Sequence, residues 1–242
     1  MIPEFPIADG LAGLYCGPGP GPAAIWRHWN FDPMLLAALA ALALMLGRSR
    51  WGAAAVAVLV LAFVSPLCAL SAALFSARVV HHLLLVAVAA PLISLAWPAR
   101  SLRTATPLFV IATVVLWVWH LPQAYDAAMA NKGLYWIMQA TLLGSATAFW
   151  RAVLAPGQPA GQAGLAILGA YMQMGLLGAL LTFAPDALYA IHQTAPLAWG
   201  FTPLSDQQLG GIIMWVPAGL PYAVLGLLVA RRGWRGLQAH PT

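Results

Sequence analysis

Long apolar runs, most of them closed by proline or glycine, fill the chain from residue 32 onward. A helix needs about 20 mostly apolar residues to cross a bilayer. Seven runs approach that length, at 32–47, 51–75, 79–97, 104–121, 134–154, 163–184 and 209–230. Pro98, Pro122, Pro156 and Pro185 stand at four of the ends, and Gly47 and Gly233 close two more, as expected of residues that interrupt helices. Pro217 and Pro221 predict a kink in the last run. The runs are continuous and rich in Ala and Leu, without the alternation of a membrane β-barrel. The pattern predicts an all-α, polytopic membrane protein with seven transmembrane helices.

Composition narrows the class further. Hydrophobic residues make up 62% of the 242 positions and charged residues 7%, against about 25% charged in a soluble domain. So few charges exclude a soluble enzyme, a disordered chain and a free nucleic-acid binder. The net charge of +5 lies in short clusters beside the apolar runs, which is how membrane proteins set their orientation. With seven spans, one side holds Arg48, Arg50, Arg100, Arg103, Arg151, Arg231, Arg232 and Arg235, and the other only Arg27, Arg78 and Lys132. The positive-inside rule then places the N-terminus outside and the C-terminus in the cytoplasm. It divides the chain into an external Pro/Gly-rich arm (1–31), a seven-helix domain (32–230) and a basic cytoplasmic tail (231–242). The first 25 residues carry no basic segment ahead of an apolar stretch, so no signal peptide is expected. Residues 16–22 read as a loose arm, with Trp26 and Trp29 at interfacial positions.

On this topology the chemistry gathers on the outer side. Glu4, Asp9, Asp32, Asp126, Asp186 and Asp206 fall there, as do His28, His81, His82, His120 and His192; only His240 is cytoplasmic. Cys16, Cys68, Met34, Met129, Met138 and Met214 join them. Imidazole, thioether and thiolate are the ligands that select copper. His81, His82, His120, Met138 and Met214 lie within about two turns of the outer rim, on helices able to converge on one shallow site. Ser76, Asp126, Gln139, Asp206 and Gln207 are candidates to orient the imidazoles. Against this stands a simpler reading, in which the histidines serve interfacial amphipathy and the methionines pack the core.

Other residues carry open alternatives. Cys16 and Cys68 suit a disulfide in an oxidising compartment, copper ligation, or two free thiols. Arg78, on the side that opposes the orientation rule, calls for Asp126, Asp186 or Asp206 as partner, or else is a solvated loop residue. Asp206 reads as the cap of the last helix. Gly210 and Gly211, with Gly175 and Gly178, would let two helices approach closely. Gln173 is either a bonded buried amide or part of a polar path. No carboxylate pair, phosphate loop, zinc motif or nucleophile elbow appears, so an enzyme is not expected.

Several longer pieces share an order seen elsewhere. They are Phe75-Ser76-Ala77-Arg78-Val79-Val80-His81-His82, Trp117-Val118-Trp119-His120-Leu121-Pro122 with Tyr125-Asp126, Phe149-Trp150, Leu181-Thr182-Phe183-Ala184 with Leu188-Tyr189, and Thr202-Pro203-Leu204-Ser205-Asp206-Gln207-Gln208 running into Met214-Trp215. On these pieces the chain resembles the CtaG family of membrane cytochrome c oxidase assembly factors over about residues 31–230. Many members of that family carry His-Met-x-x-His at the start of the third helix, where this chain has Arg78, Val79 and His82, with His81 added. Many also carry His-x-x-Glu-His entering the fifth, where this chain has Tyr135, Met138 and Gln139. The resemblance implies an inner-membrane factor that assembles a haem-copper oxidase. It makes copper handling at the outer face the expected mechanism. His82 and His120 are then the leading copper ligands, His81 and Met214 follow, and His192 and Asp206 come last. Expected partners are an oxidase subunit and membrane lipid, with no nucleic acid; a homo-oligomer is left open. Two alternatives are a metal-free scaffold that holds an oxidase subunit, and a small-molecule or metal transporter, which the apolar helix centres argue against.

Overall fold

The computed structural model of the protein describes residues 14–99 and 105–239. Glu4, Asp9, Arg100, Arg103 and His240 lie outside the described residues. Among the described residues all regular elements are helical. They are α1 (Pro33–Leu46), α2 (Arg50–Phe63), α3 (Leu67–Ala73), α4 (Phe75–Leu83), a π-turn (Leu84–Ala89) continuing into α5 (Ala90–Ala96), α6 (Thr106–Val118), α7 (Pro122–Ala130), α8 (Lys132–Val153), α9 (Ala160–Phe183), α10 (Pro203–Trp215) and α11 (Gly219–Ala239). Each of the seven apolar runs is helical. Three continuous stretches, 75–96, 160–183 and 203–236, are long and apolar enough to cross a membrane, and up to five if each of two bent pairs is one span. The protein is therefore an all-helical membrane protein. α8 is 22 residues long, but Lys132, Gln139, Thr141, Ser145 and Arg151 dilute its apolar character.

The elements differ from the expected runs where polar or proline residues interrupt them. The run 51–75 is two helices bent by 45°. Pro66 cannot continue the α2 ladder, and the Ser65 hydroxyl turns back to the Leu61 carbonyl at 2.5 Å. Leu74 is then extended and a fresh helix begins at Phe75. His81 and His82 accordingly sit about two turns inside α4, deeper than the expected first turn. After α6 the chain turns 75° into α7, a short helix that the sequence pattern did not predict because Gln123 and Asp126 break its apolar run. The last run parts at Val216–Ala218 beside Pro217, and α11 continues through Arg231–Arg235 to Ala239, where a tail was expected.

Close packing explains how the bundle holds its register. The helix 75–96 passes through a π-turn ahead of Pro91, a residue that supplies no amide hydrogen to the carbonyls one turn back. The Val86 carbonyl instead accepts from the Trp150 indole of α8 at 2.9 Å. Arg232 of α11 caps the end of α8 through the Leu154, Ala155 and Gln158 carbonyls at 3.2–3.3 Å, placing a cation where a helix end concentrates negative potential. α9 and α10 meet backbone to backbone. A Cβ on Gly178 would lie 2.7 Å from the Gly211 carbonyl, and one on Gly211 would strike Gly178 and Thr182. The expected close approach of these glycines is therefore present.

The arm is ordered from Leu14 onward, contrary to the loose segment expected. Cys16 is joined to Cys68. Tyr15 stacks on Tyr135 at 5.0 Å and donates to Asp32 at 2.9 Å. Trp199 donates to the Pro20 carbonyl at 2.9 Å. Asp32 also accepts from the Met34 and Leu35 amides as the cap of α1.

The glycine contact yields a prediction. Gly211→Val should destabilise the protein by about 1–3 kcal/mol through overpacking, read as a lowered thermal midpoint in detergent. Gly144→Ala, where an added Cβ meets nothing within 4 Å, should leave the midpoint unchanged or raise it.

Candidate functional site

The site is built around the first turns of α4. Asp206, fully buried on α10, accepts from the Phe75 amide at 2.6 Å and the Ser76 amide at 3.2 Å, and from the Ser76 hydroxyl. Its carboxylate thus caps α4, not its own helix as the sequence suggested. A buried carboxylate is tolerable there because the exposed amides of a helix start carry partial positive charge. The cap of α10 is Thr202, in a reciprocal arrangement with Ser205.

With its start fixed, α4 presents Arg78, His81 and His82 on one stripe, spaced at three and four residues. All three are buried, Arg78 at 1% exposure and His81 at 0%. The Arg78 guanidinium lies 5.3 Å from the Tyr135 ring centre, and its Nη1 donates weakly to the Tyr135 hydroxyl at 3.5 Å. Its Nε and Nη2 have no partner among the described residues. This corrects the expectation of an aspartate partner: Asp206 serves α4, and Asp126 accepts from the Ala190 and Ile191 amides at 3.0 and 3.4 Å. Asp186 is exposed.

The His82 ring lies 5.8 Å from that of His81 and 6.1 Å from that of His120, centre to centre. His120 Nδ1 donates to the Leu116 carbonyl at 2.7 Å, which leaves the Nε2 lone pair available. His82 Nε2 and both nitrogens of His81 are buried without partners. His81 sets its ring edge-on against Phe63 at 4.9 Å. Met214 is buried against Gly178 of α9. Gln139, one turn along α8 from Tyr135, is buried with neither amide atom bonded. The described residues hold no group of three His, Cys, Asp or Glu spaced to grip a metal.

His192 has other work. It lies in the loop between α9 and α10, where Nδ1 meets the Ala73 carbonyl at 3.4 Å and Nε2 meets the Tyr125 hydroxyl at 2.7 Å. The first contact requires a donor at Nδ1, so Tyr125 donates to Nε2. Burial, and then the charge of Arg78, pull its pKa down to about 3. Tyr189 donates to the His120 carbonyl at 3.0 Å and stacks on Phe75 at 4.4 Å. Gln207 accepts from the Leu188 amide at 2.7 Å and donates to the Leu181 and Asp186 carbonyls. Asp126 and Gln207 therefore brace the loop 184–202, where the sequence had suggested partners for the imidazoles. Gln173 accepts from the Trp117 indole at 3.1 Å and borders a cavity of about 40 Å³, as do Leu116, Leu142 and Tyr222. The sequence marks Tyr125 and Tyr189 only as members of the motifs quoted above, and Tyr135 only as the residue at a family histidine position.

The fold and this buried polar cluster define a helical membrane protein whose unusual chemistry lies near one end of its bundle. The family model for the cytochrome c oxidase caa3 assembly factor (Caa3_CtaG) matches residues 44–236, and the chain belongs to that family. No curated protein and no solved structure matches it. Within the family resemblance, the positions of the two histidine patterns do come together here, as the touching pair Arg78 and Tyr135.

Two predictions follow from the geometry. Asp206→Ala should cost about 1–3 kcal/mol by leaving the α4 amides without an acceptor, and Asp206→Asn should recover part of it; chemical unfolding in detergent measures both. For His192, the folded pKa lies below the unfolded value of about 6.5. Its contribution is thus whole above pH 6.5 and is lost as the pH falls toward 3. The stability gap between wild type and His192→Gln should narrow by about 1.4 kcal/mol per pH unit in that window.

Proposed function

We propose that the protein handles Cu(I) for a haem-copper oxidase at the outer face of the cell inner membrane, as cargo held between His82 and His120. The observation that carries this reading is the adjacent pair of buried imidazoles, set edge-on to each other. Two imidazoles on opposite sides of a copper ion, with metal–nitrogen bonds of about 2 Å, have ring centres roughly 6 Å apart. The His82–His120 separation is 6.1 Å. His120 donates Nδ1–H to a backbone carbonyl, the arrangement that fixes a metal-binding imidazole with Nε2 free. Two-coordinate ligation by soft or borderline donors suits Cu(I), which needs neither a carboxylate nor a third histidine. His81 and Met214 are the next donors at the same end of the bundle; His192 and Asp206, whose polar atoms are engaged elsewhere, take no part.

The orientation follows from the eight-to-three division of basic residues across seven spans, with the N-terminus outside. The Cys16–Cys68 disulfide supports it, since such bonds persist on the oxidising side of the membrane. The partner is then an oxidase subunit awaiting copper, met in the plane of the membrane.

A second reading, a metal-free scaffold for that subunit, is favoured by the absence of a three-ligand group among the described residues. Copper stoichiometry separates the two. Protein purified in detergent and loaded with Cu(I) under mild reduction should hold about one copper, and His82→Ala/His120→Ala should hold none. A folded wild type without bound copper would leave the scaffold.

A further inference from the structure

Seven buried side-chain atoms without a partner among the described residues lie on one stripe of each of two neighbouring helices: Arg78 Nε and Nη2, both nitrogens of His81, His82 Nε2, and both amide atoms of Gln139. Arg78, His81 and His82 form the stripe on α4, and Tyr135 and Gln139 form the one on α8. The Arg78–Tyr135 contact joins them at one end. The Ser94 hydroxyl meets the Thr147 carbonyl farther along both chains, so the helices run parallel, and Gln139 falls at the level of His82.

A buried polar atom left unbonded costs about 1–3 kcal/mol, and a buried unpaired charge costs more. Water could satisfy the imidazoles and the amide, but it cancels no charge. Every acid among the described residues is already accounted for. Asp206 caps α4, Asp126 holds the Ala190 and Ile191 amides, Asp32 takes Tyr15 and the start of α1, and Asp186 is exposed. The Tyr135 hydroxyl accepts from the guanidinium, and the nearby Tyr125 hydroxyl gives its proton to His192, so these tyrosines offer neutral oxygens and no compensating charge.

We infer that Arg78 is the centre of a binding site for a small monovalent anion of chloride size, held by Arg78 Nε and Nη2 with His81 and Gln139 as further donors. Size follows from enclosure. Tyr15 stacks over Tyr135, and the Cys16–Cys68 bridge lies against the same hydroxyl at 3.5 Å. A side chain from a partner protein does not pass this cover, so the ion inferred is one of a single atom or a few. The site shares only His81 with the copper reading and uses neither His82 nor His120, and its test uses metal-free protein.

The test compares thermal unfolding of the full chain in detergent with chelator, in sodium chloride and in sodium gluconate at equal ionic strength. Gluconate is too large to enter. Chloride should raise the midpoint saturably, by about 5 °C at a hundredfold excess over its dissociation constant, and Arg78→Met should abolish the difference. Crystals grown in bromide provide a readout that needs no variant: an anomalous peak should stand within hydrogen-bond reach of Arg78 Nε and Nη2. Equal midpoints in the two salts, a chloride effect that survives in Arg78→Met, or a bromide map featureless at Arg78 would each overturn the inference.

Discussion

The buried carboxylate of Asp206 is the contact on which the polar end of the bundle depends. It reaches from α10 to the first amides of α4 and so fixes both the depth and the rotation of the helix that carries Arg78, His81 and His82. One turn farther along α10, Gly210 lies against Phe75 and Val79, and Gly211 lies against Gly178. The same helix therefore holds α4 by a charge-assisted grip and α9 by backbone contact. A shorter or longer side chain at 206 would shift α4 along its axis, and the imidazole spacing to His120 would change with it. Position 206 acts on the histidines without touching them.

The apolar framework was legible in the sequence because a bilayer imposes a length and composition that few other structures need. The close glycine pairs were legible for a related reason: small residues are what lets membrane helices touch. What escaped was governed by contacts distant in the chain. Asp206 stands at the start of a helix and reads as its cap, yet its partners lie 130 and 131 residues away. The arm of Pro and Gly residues reads as loose because nothing local orders it; the order comes from Cys68, Tyr135 and Trp199. The Ser65-Pro66 break was masked by apolar residues on both sides, and α7 by the polar side chains that give it one wet face. Candidate ligands were legible as residue types. Which of them keep a free lone pair was not, because that depends on whether a carbonyl or a tyrosine has already claimed the nitrogen, as at His120 and His192.

Arg78 changes what the neighbouring histidines can do. A guanidinium buried three residues from His81 opposes any second cation there, and the opposition weakens on the far side of His82, toward His120. The same charge favours anions near His81 and contributes to the low pKa of His192. The polar cluster is thus divided along its length, with an electropositive half under the arm at Arg78 and a softer half of bare imidazole lone pairs facing α6. A neutral side chain in place of Arg78 would remove the division.

This division gives the arm a place in the chemistry. Tyr15 and Cys16 cover Tyr135, and Tyr135 in turn covers Arg78, so the disulfide shields the charged half from water. A guanidinium kept dry exerts its field over a longer distance than one in solvent. The softer half is bounded differently. His120 sits where α6 turns into α7, and its carbonyl is held by Tyr189 from the loop 184–202, which Asp126, Gln207 and His192 brace from three directions. The backbone at His120 therefore depends on that loop and not on the arm. A change confined to the loop would act on His120 while leaving the covered arginine undisturbed.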